Sequence, residues 1–406
     1  MFDVKKIRSD FPLLNRNPDL IYFDSGATSL KPQQVIDAVN AFYCDHTANV
    51  HRGDYPNAFT SSEKYDSVRK KAADLINCSE EEVIYTHGDT EGLNLVALSF
   101  GAQILKKGDV ILTTETEHAS NILPWFKVAE KCGASVEYIP LGKEGEVSAE
   151  AFEKAMHEKV RIVAVTQVSN VLGHINPIRE ICRIAHRYSA YVVVDGAQSV
   201  PHIKVDVREL DCDFLAFSSH KMLGPSGAGV LYVRKGIMDR MEPLYYGGDS
   251  NARFDRACNL VLKKGPMRFE SGTPAIEQII GMGAAIDYLR EIGMENIHAY
   301  ECELKDYLIE RLAECDNIVL YNPHADCAIV SFRFRDIFSQ DAANYLGSQN
   351  IAVRSGNHCA KIVKDIIGVD ETLRASLYFY NTREEIDRFV EVIKETTLEK
   401  CIDLIL

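Results

Sequence analysis

A lysine and an aspartate, each following an apolar run, are the residues of this sequence best placed to do chemistry. Lys221 comes after the run 214–217, and Asp195 comes after the run 191–194. Apolar runs of this length are typical of buried strands. A lysine amine can form an imine with an aldehyde, and a carboxylate can keep a pyridine nitrogen protonated, so the pair suits pyridoxal 5′-phosphate. The alternative is that Lys221 is a solvated surface charge and Asp195 a turn residue.

Other polar residues follow predicted strands and could surround such a cofactor. Thr90 lies between a predicted strand and a helix, where free backbone N–H groups can bind an anion, although an ordinary helix cap is the alternative. The neighbouring Asp89 suits a phosphate site only if its carboxylate faces away and caps the helix. His118 could stack on the ring and move protons, or it is structural. Asn170 and Gln198 could hydrogen-bond the ring hydroxyl, or they form turns.

The C-terminal part of the chain holds a second set of candidates. Cys359 stands beside His358 and near Arg354 on a glycine-bearing loop, and nearby cations lower the pKa of a thiol and enrich its nucleophilic thiolate. A buried, inert cysteine is the alternative. Arg374 heads an apolar strand, and a guanidinium is the natural bidentate partner of a carboxylate, with a surface ion pair as the alternative.

Alternating strands and helices must position these residues. The pattern predicts a strand over 161–166, a helix over 177–185 and a strand over 191–194, which together form a β-α-β unit. The same alternation runs earlier, with strands at 82–85 and 109–112 around a helix that starts near residue 91. It predicts a mostly parallel sheet, whose ligands bind at the carboxyl ends of the strands.

Beyond residue 281 the pattern changes to a charged helix over 303–312, an alternating strand over 328–334 and a helix near 341–346, and a last helix closes the chain from residue 382. We therefore predict an α/β fold with two domains. The large domain, built on the mostly parallel sheet, covers residues 20–288. The small α+β domain is formed by residues 1–19 and 289–406 and carries the Cys359 loop.

Composition excludes several classes of partner. The 406 residues carry a net charge of −14, which argues against nucleic acid and disfavours an anionic membrane surface. No apolar stretch is long enough to span a bilayer, and the N-terminus lacks the apolar segment of a signal peptide. The eleven cysteines include no Cys-x-x-Cys pair, so we predict neither a metal site nor a disulfide framework, and a reducing cytoplasm as the location.

Taken together, the motifs resemble the class V aminotransferase family of fold-type I pyridoxal phosphate enzymes. More narrowly, they resemble the SUF-type (group II) cysteine desulfurases and their selenocysteine lyase relatives. The resemblance covers nearly the whole chain. It rests on these motifs, in this order: residues 23–27, 50–53, 168–173, 195–198, 218–221, 268–274 and 354–360.

The resemblance implies a role for each candidate. Lys221 is the Schiff-base lysine, Asp195 pairs with the pyridine nitrogen, and His118 stacks on the ring. Cys359 accepts the substrate's sulfur. The other implied contacts are Gln198 with the ring oxygen; Thr90, Ser218, His220 and, from the neighbouring subunit, Thr273 with the phosphate; and Asn170, Arg354 and Arg374 with the substrate, Arg374 on its carboxylate.

The implied activity converts L-cysteine to L-alanine, leaves a persulfide on Cys359 and supplies sulfur for iron–sulfur cluster assembly. The role of Thr273 implies a homodimer, and SUF-type enzymes hand sulfur to a small acceptor protein. The spacing between residues 248 and 268 leaves room for the extra hairpin of group II enzymes. Two positions depart from the pattern: relatives usually have threonine in place of Asp89, and histidine in place of Asn357.

Two other functions compete with this one. A selenocysteine lyase or another class V reaction would use the same fold, although the loop around Cys359 argues against kynureninase-like cleavage and transamination. A non-catalytic sulfur-carrier platform or scaffold predicts damage to the lysine–aspartate pair. Both Lys221 and Asp195 are intact.

Overall fold

The computed structural model describes residues 3–404. The strands of this part are β1 Ile21–Tyr22, β2 Val83–Thr86, β3 Val110–Thr113, β4 Ser135–Tyr138, β5 Val160–Thr166, β6 Tyr191–Asp195, β7 Phe214–Ser218, β8 Gly229–Val233, β9 Asn251–Phe254, β10 Leu260–Leu262, β11 Ile318–Leu320, β12 Ile329–Phe334, β13 Ile351–Ala352, β14 Arg354–Gly356 and β15 Thr372–Ser376.

Its α-helices are α1 Val4–Ser9, α2 Pro12–Arg16, α3 Gln33–Asp45, α4 Pro56–Leu75, α5 Asp89–Leu95, α6 Ala102–Ile104, α7 Leu123–Cys132, α8 Ala149–Ala155, α9 Ile178–Arg187, α10 Val207–Leu210, α11 Ile276–Ile292, α12 Met294–Leu312, α13 Ser339–Ser348, α14 Lys364–Ile367, α15 Arg383–Glu395 and α16 Leu398–Asp403. None of the helices in this part combines the length and the apolar composition that crossing a bilayer requires.

A seven-stranded sheet in the order β2-β8-β7-β6-β5-β3-β4 forms the centre of the molecule. The pairs from β7 through β6, β5 and β3 to β4 are all parallel. Only β8 runs against its two neighbours, so β2 points the same way as the parallel strands. The prediction of a mostly parallel sheet is confirmed.

Alternation along each central strand fills the space on both faces of this sheet. Val192 and Val194 pack into the core on one face, whereas Val193 between them packs into the core on the other. Side chains on a strand point to opposite faces in turn, so a strand covered by helices on both sides must be apolar at every position. For this reason, Tyr191 is followed by three consecutive valines in the run 191–194.

A smaller antiparallel sheet, in the order β11-β12-β15-β14, lies in the C-terminal part. Its own core takes in Ile21 and Phe23 from the N-terminal region, while Phe11 and Leu14 pack into the core around the large sheet. The backbone bridge between Asp24 and β15 joins the N-terminal segment to the small sheet. The domain boundaries at residues 20 and 288 stay a prediction.

The structure tests two local predictions, the extent of the last helix and the hairpin between residues 248 and 268. The helix predicted from residue 382 to the chain end is wrong in its extent, because extended Thr396 stops α15 and the Thr397 side chain caps a separate helix, α16. Thr382 and Glu385 form a capping box at the start of α15. The expected hairpin between residues 248 and 268 is present as β9 and β10.

The carboxyl ends of β2, β3, β5, β6 and β7 lie on one edge of the large sheet, since these strands run in the same direction. The segments that follow them carry Asp89, His118, Asn170, Asp195 and Lys221. Ligands of open α/β sheets bind at this edge.

Candidate active site

All but one of the predicted site residues line a single cavity of about 190 Å³. It lies between the carboxyl edge of the large sheet and the β14–β15 part of the small sheet. The predicted residues that line it are Thr90, His118, Asn170, Asp195, Gln198, Ser218, His220, Lys221, Arg354, Cys359 and Arg374. Asp89, Ser120 and His358 line the cavity too.

Lys221 ends a single 3₁₀ turn that directly follows β7. The carbonyl of His220, one residue earlier, accepts hydrogen bonds from Ser29 N–H at 3.0 Å, Lys31 Nζ at 2.9 Å and Thr28 Oγ1 at 3.1 Å. These bonds hold the peptide unit from which Lys221 extends. Burial lowers the pKa of the Lys31 ammonium to about 8.

The charge of Lys221 is set by opposing effects. Burial lowers the pKa of its amine, while the carboxyl groups of Asp195 and Asp89 oppose that shift. Asp195 ends β6, is almost fully buried, and accepts a hydrogen bond from Ala197 N–H at 2.9 Å through Oδ1. A lysine with a lowered pKa is a better nucleophile and base near neutral pH than a solvated one.

His118 is held in one orientation and kept neutral. Its Nδ1 accepts a hydrogen bond from the backbone N–H of Ser120 at 3.2 Å, so the proton of the neutral ring is on Nε2. Burial is the main cause that lowers the pKa of the imidazole. The Ser120 hydroxyl also bonds the Thr90 hydroxyl at 2.7 Å. Sequence reasoning missed Ser120, although its spacing of two residues from His118 is visible in the sequence.

Three of the predicted phosphate-binding residues, Thr90, Ser218 and His220, line both this cavity and an adjoining groove. Ser218 Oγ accepts a hydrogen bond from Asp89 N–H at 2.8 Å, which joins the end of β7 to the start of α5. Helical backbone continues from α5 through a π-helical turn, Val96–Gly101, into α6. Burial, followed by repulsion from Lys221 and Lys31, lowers the pKa of His220 to about 4, so its ring is a neutral hydrogen-bonding group.

Four buried polar atoms of this cavity have no partner within the described chain: Oδ1 of Asp89, Oε1 of Gln198, Nδ1 of His358 and Nε of Arg374. Such atoms are rare in native proteins, so this cavity is built to receive a polar molecule. The residues fit pyridoxal 5′-phosphate, with an amine for its aldehyde, a carboxylate for its ring nitrogen, and hydroxyls and an imidazole for its phosphate. No group of three or more His, Cys, Asp or Glu between residues 3 and 404 could hold a metal ion.

The loop that carries Cys359 has a strained backbone and is held by the large domain. His358 and Cys359 have φ angles of 51° and 60°, a conformation uncommon for residues other than glycine. The carbonyl of Cys359 accepts from Ala119 N–H at 2.8 Å, and that of His358 accepts from Asn170 Nδ2 at 2.9 Å. The Asn170 amide therefore fixes this loop inside the cavity. Non-glycine residues in this region cluster at functional sites.

The Cys359 thiol is exposed, and Arg354 Nη2 lies 3.8 Å from its Sγ. Arg354 therefore places a positive charge beside the thiol. Asn357, one of the two departures from the family pattern, accepts a hydrogen bond from Cys359 N–H at 3.1 Å. An amide oxygen accepts this bond at any pH, so the departure is compatible with an ordered loop.

Arg374 is almost fully buried and lies on β15. Its Nη1 donates to the carbonyl of Asn170 at 2.9 Å, and its Nη2 to Asp24 Oδ1 at 3.2 Å. Its Nε has no partner. Burial raises the pKa of Asp24 and the charge of Arg374 opposes that shift. Sequence reasoning assigned no role to Asp24, because nothing local to residue 24 shows a guanidinium from residue 374 beside it.

The structure bears on the predictions made for Asp89 and Thr273. Gly88, not Asp89, is the N-cap of α5, and no side chain caps that helix end. Asp89 therefore does not face away as a cap, and its side chain lines the cavity. Thr273 lies outside the cavity and lines a separate pocket beside Tyr65 and Glu270. Its role toward a neighbouring subunit stays a prediction.

The fold and the cavity define the class of this protein as that of the fold-type I pyridoxal phosphate enzymes, so the predicted fold class and cofactor are confirmed. The family described as aminotransferase class V matches residues 21–389. The chain belongs to this family.

Individual relatives agree with this assignment over nearly the whole chain. A probable cysteine desulfurase from Halalkalibacterium halodurans is 44% identical over 398 residues, which covers 97% of each protein. A solved cysteine desulfurase from Thermococcus onnurineus superimposes with a TM-score of 0.92 at 39% identity, covering 96% of this chain and 97% of the other. The cysteine desulfurase CsdA from Escherichia coli gives 0.92 at 31% identity, covering 100% and 99%.

Proposed function

We propose that this protein is a pyridoxal phosphate-dependent cysteine desulfurase of the SUF type. It converts L-cysteine to L-alanine and transfers the sulfur to Cys359. The observation that carries the proposal is that Cys359, on a loop of the small sheet, lines the same cavity as Lys221, at an edge of the large sheet. A lysine and aspartate alone suit many reactions of this cofactor, whereas a thiol brought to the same place selects sulfur transfer.

The residues of the large domain would hold the cofactor. Lys221 would bind its aldehyde, Asp195 its ring nitrogen and Gln198 its ring oxygen. Its phosphate would lie against Thr90, Ser218 and His220, and His118 would stack on its ring. When bound, the cofactor supplies an electron sink for the negative charge that develops at the α-carbon of the substrate.

Substrate orientation depends on Arg374. Its guanidinium binds the carboxylate of L-cysteine with N–H groups that the two internal bonds, to Asn170 and Asp24, do not use. Asn170 holds Arg374 from the opposite side through its backbone carbonyl. Lys221 removes the α-proton of the substrate as a neutral amine, a role for which its lowered pKa suits it.

Cys359 carries out the transfer of sulfur. Its thiolate attacks the sulfur of the substrate, a new S–S bond forms, and the C–S bond breaks with its electron pair left on the carbon fragment. Protonation of that fragment gives L-alanine, and the enzyme keeps a persulfide. Arg354 donates a hydrogen bond to the Sγ that makes this attack. The bonds from Ala119 and Asn170 position the loop for this attack.

The active enzyme is a homodimer in this proposal. Thr273 does not reach the cavity of its own chain, which suits a contact with the phosphate of the neighbouring subunit. The β9–β10 hairpin exposes Phe254 and Leu260, at 72% and 49%, as apolar surface for that subunit. Analytical ultracentrifugation should give twice the chain mass of 45.5 kDa, and a mass equal to one chain would contradict the dimer.

The persulfide sulfur passes to a small acceptor protein of the SUF system and supplies iron–sulfur cluster assembly in the cytoplasm. The exposure of Cys359 supports direct contact with such an acceptor. All eleven cysteines are unpaired, as expected in a reducing compartment. Addition of a SUF-type acceptor to the assay should raise the rate of alanine formation from L-cysteine.

The activity is tested by incubating the holoenzyme with L-cysteine and measuring alanine and protein-bound persulfide. Cys359→Ala should abolish both, while the absorbance change that L-cysteine causes on binding to the holoenzyme is retained. Cys44→Ala, which removes another exposed thiol, is the matched control and should retain full activity. Equal rates of alanine formation for Cys359→Ala and the wild type would refute the role of Cys359.

A further inference from the structure

Asp89 is a buried carboxyl group that the proposed reaction does not use. Only 6% of the residue is exposed, and its Oδ1 has no hydrogen-bond partner in the described chain. It lines the Lys221 cavity and also the adjoining groove of about 700 Å³, which it shares with Thr90, Ser218 and His220. Asp89 thus stands where the ring-binding and phosphate-binding parts of the site meet.

The surroundings of Asp89 disfavour a negative charge. Burial raises the pKa of this carboxyl well above its usual range, the nearby carboxyl groups of Asp195 and Glu117 add to the effect, and Lys221 opposes it. The other titratable or charged side chains that line the two spaces are His87, Glu91, His118, His220, Tyr245, Arg354, His358, Cys359 and Arg374.

Glu117, in the same region, is a buried carboxyl group whose two oxygens both have hydrogen-bond partners. Its oxygens accept hydrogen bonds from Thr114 Oγ1, Thr166 N–H and Asn121 Nδ2, at 2.7, 2.9 and 2.7 Å. No donor of this kind reaches Asp89 Oδ1 in the described chain. A carboxylate in this position would be buried and unsatisfied, whereas a neutral acid needs an acceptor for its own proton.

We propose that Asp89 is protonated in the holoenzyme and donates a hydrogen bond to the phosphate of the cofactor. The inference rests on the proposed function only for the identity of that cofactor. An ionised Asp89 would repel a phosphate dianion, but the neutral acid offers an O–H to it. Asp89 is then a cofactor-binding residue that presents a hydroxyl donor to the phosphate.

Two substitutions of Asp89 are expected to change cofactor affinity by different amounts. Asp89→Asn keeps a neutral donor of similar shape, so its affinity for the cofactor at neutral pH stays within about threefold of the wild type. Asp89→Ala removes the donor and weakens binding by about tenfold or more, as expected for a hydrogen bond to a charged group. At alkaline pH the wild type loses affinity relative to Asp89→Asn as soon as Asp89 loses its proton.

The experiment is equilibrium dialysis of the full-length holoenzyme and variants against graded pyridoxal 5′-phosphate, with bound cofactor measured by absorbance. A second series uses pyridoxal, which lacks the phosphate. Asp306→Asn is the matched control, because it makes the same change at an exposed carboxylate on α12 that pairs with Lys305 at 2.9 Å and lines neither space. Infrared difference spectra between the wild-type holoenzyme and Asp89→Asn report the carbonyl band of a protonated acid.

We expect the order of affinity wild type ≈ Asp89→Asn > Asp89→Ala for pyridoxal 5′-phosphate, no such difference for pyridoxal, and the acid band in the wild type. Tighter binding by both variants would show an ionised Asp89 and overturn the proposal. Equal affinities throughout, or a loss that persists with pyridoxal, would overturn the contact with the phosphate. Failure of the wild type and Asp306→Asn to bind either ligand would instead refute the proposed cofactor.

Discussion

Substitution of Arg374 by lysine is the sharpest test of how the substrate is bound. The guanidinium donates through Nη1 to the Asn170 carbonyl and through Nη2 to Asp24, and its remaining N–H groups are left for the substrate carboxylate. A lysine preserves the charge but has one nitrogen, which cannot replace three donors in fixed directions. In Arg374→Lys, the single amine is expected to bond Asn170 or Asp24, so the substrate carboxylate loses its donor.

The expected loss follows from one hydrogen bond between charged groups. Such a bond contributes about 1.5–3 kcal/mol, which corresponds to a fall in kcat/KM for L-cysteine of about 10- to 100-fold. Cysteine methyl ester lacks the carboxylate charge, so its kcat/KM should fall by a much smaller factor. The variant should thus lose most of the wild-type preference for L-cysteine over the ester.

The assay measures alanine formation from L-cysteine, and the corresponding ester product, at equal cofactor loading. Arg335→Lys is the control, because this exposed arginine follows the strand next to β15 and bonds the Asp316 carbonyl, away from the cavity. Thermal unfolding checks that both variants are folded. An equal fall for both substrates, or an unchanged kcat/KM for L-cysteine, would refute the assignment of Arg374 to the carboxylate.

Two further predictions concern stability. Glu270→Gln breaks a bidentate pair with Arg69, at 2.9 and 2.8 Å, in which the two side chains are only 7% and 12% exposed. It should lower the free energy of unfolding by about 3 kcal/mol in urea titrations. Glu130→Gln, at an exposed pair, should not change it. Burial, with Arg374 and Arg354, lowers the pKa of His358 to about 2 from 6.5. Below pH 6.5 the unfolded chain then binds a proton that the folded protein does not, so this residue's contribution is fully favourable above that pH and falls below it. His358→Asn should remove a loss of about 2 kcal/mol between pH 8 and pH 5, and equal pH profiles for the two proteins would contradict the shift.

The sequence predicted the catalytic edge of the large sheet because strand pattern and strand direction are local properties. The apolar runs before Asp195 and Lys221 are continuous since both faces of the sheet are covered. Parallel strands then bring their carboxyl ends together without further information. The motif order through the chain predicted the family, and the family match over residues 21–389 confirms it.

Local sequence patterns could not predict the contacts between distant segments of the chain. The pairing of Asp24 with Arg374 joins residues 350 positions apart, and the bond from Asn170 to the Cys359 loop spans 188 positions. Whether the Asp89 carboxyl caps its helix or faces the cavity depends on the backbone of Gly88, which takes the capping position itself. Pattern and spacing carry no signal for any of these.

By itself, therefore, the sequence determined that Asp195 and Lys221 each follow an apolar run that forms a buried strand, since hydrophobic periodicity encodes strands and their ends. Only the tertiary structure decided that Cys359 meets them. That meeting depends on a left-handed backbone at Cys359 and on hydrogen bonds between the two sheets, which form only when both cores are packed. The cofactor site follows from one sheet, and the thiol that distinguishes sulfur transfer is positioned by the packing of the other against it.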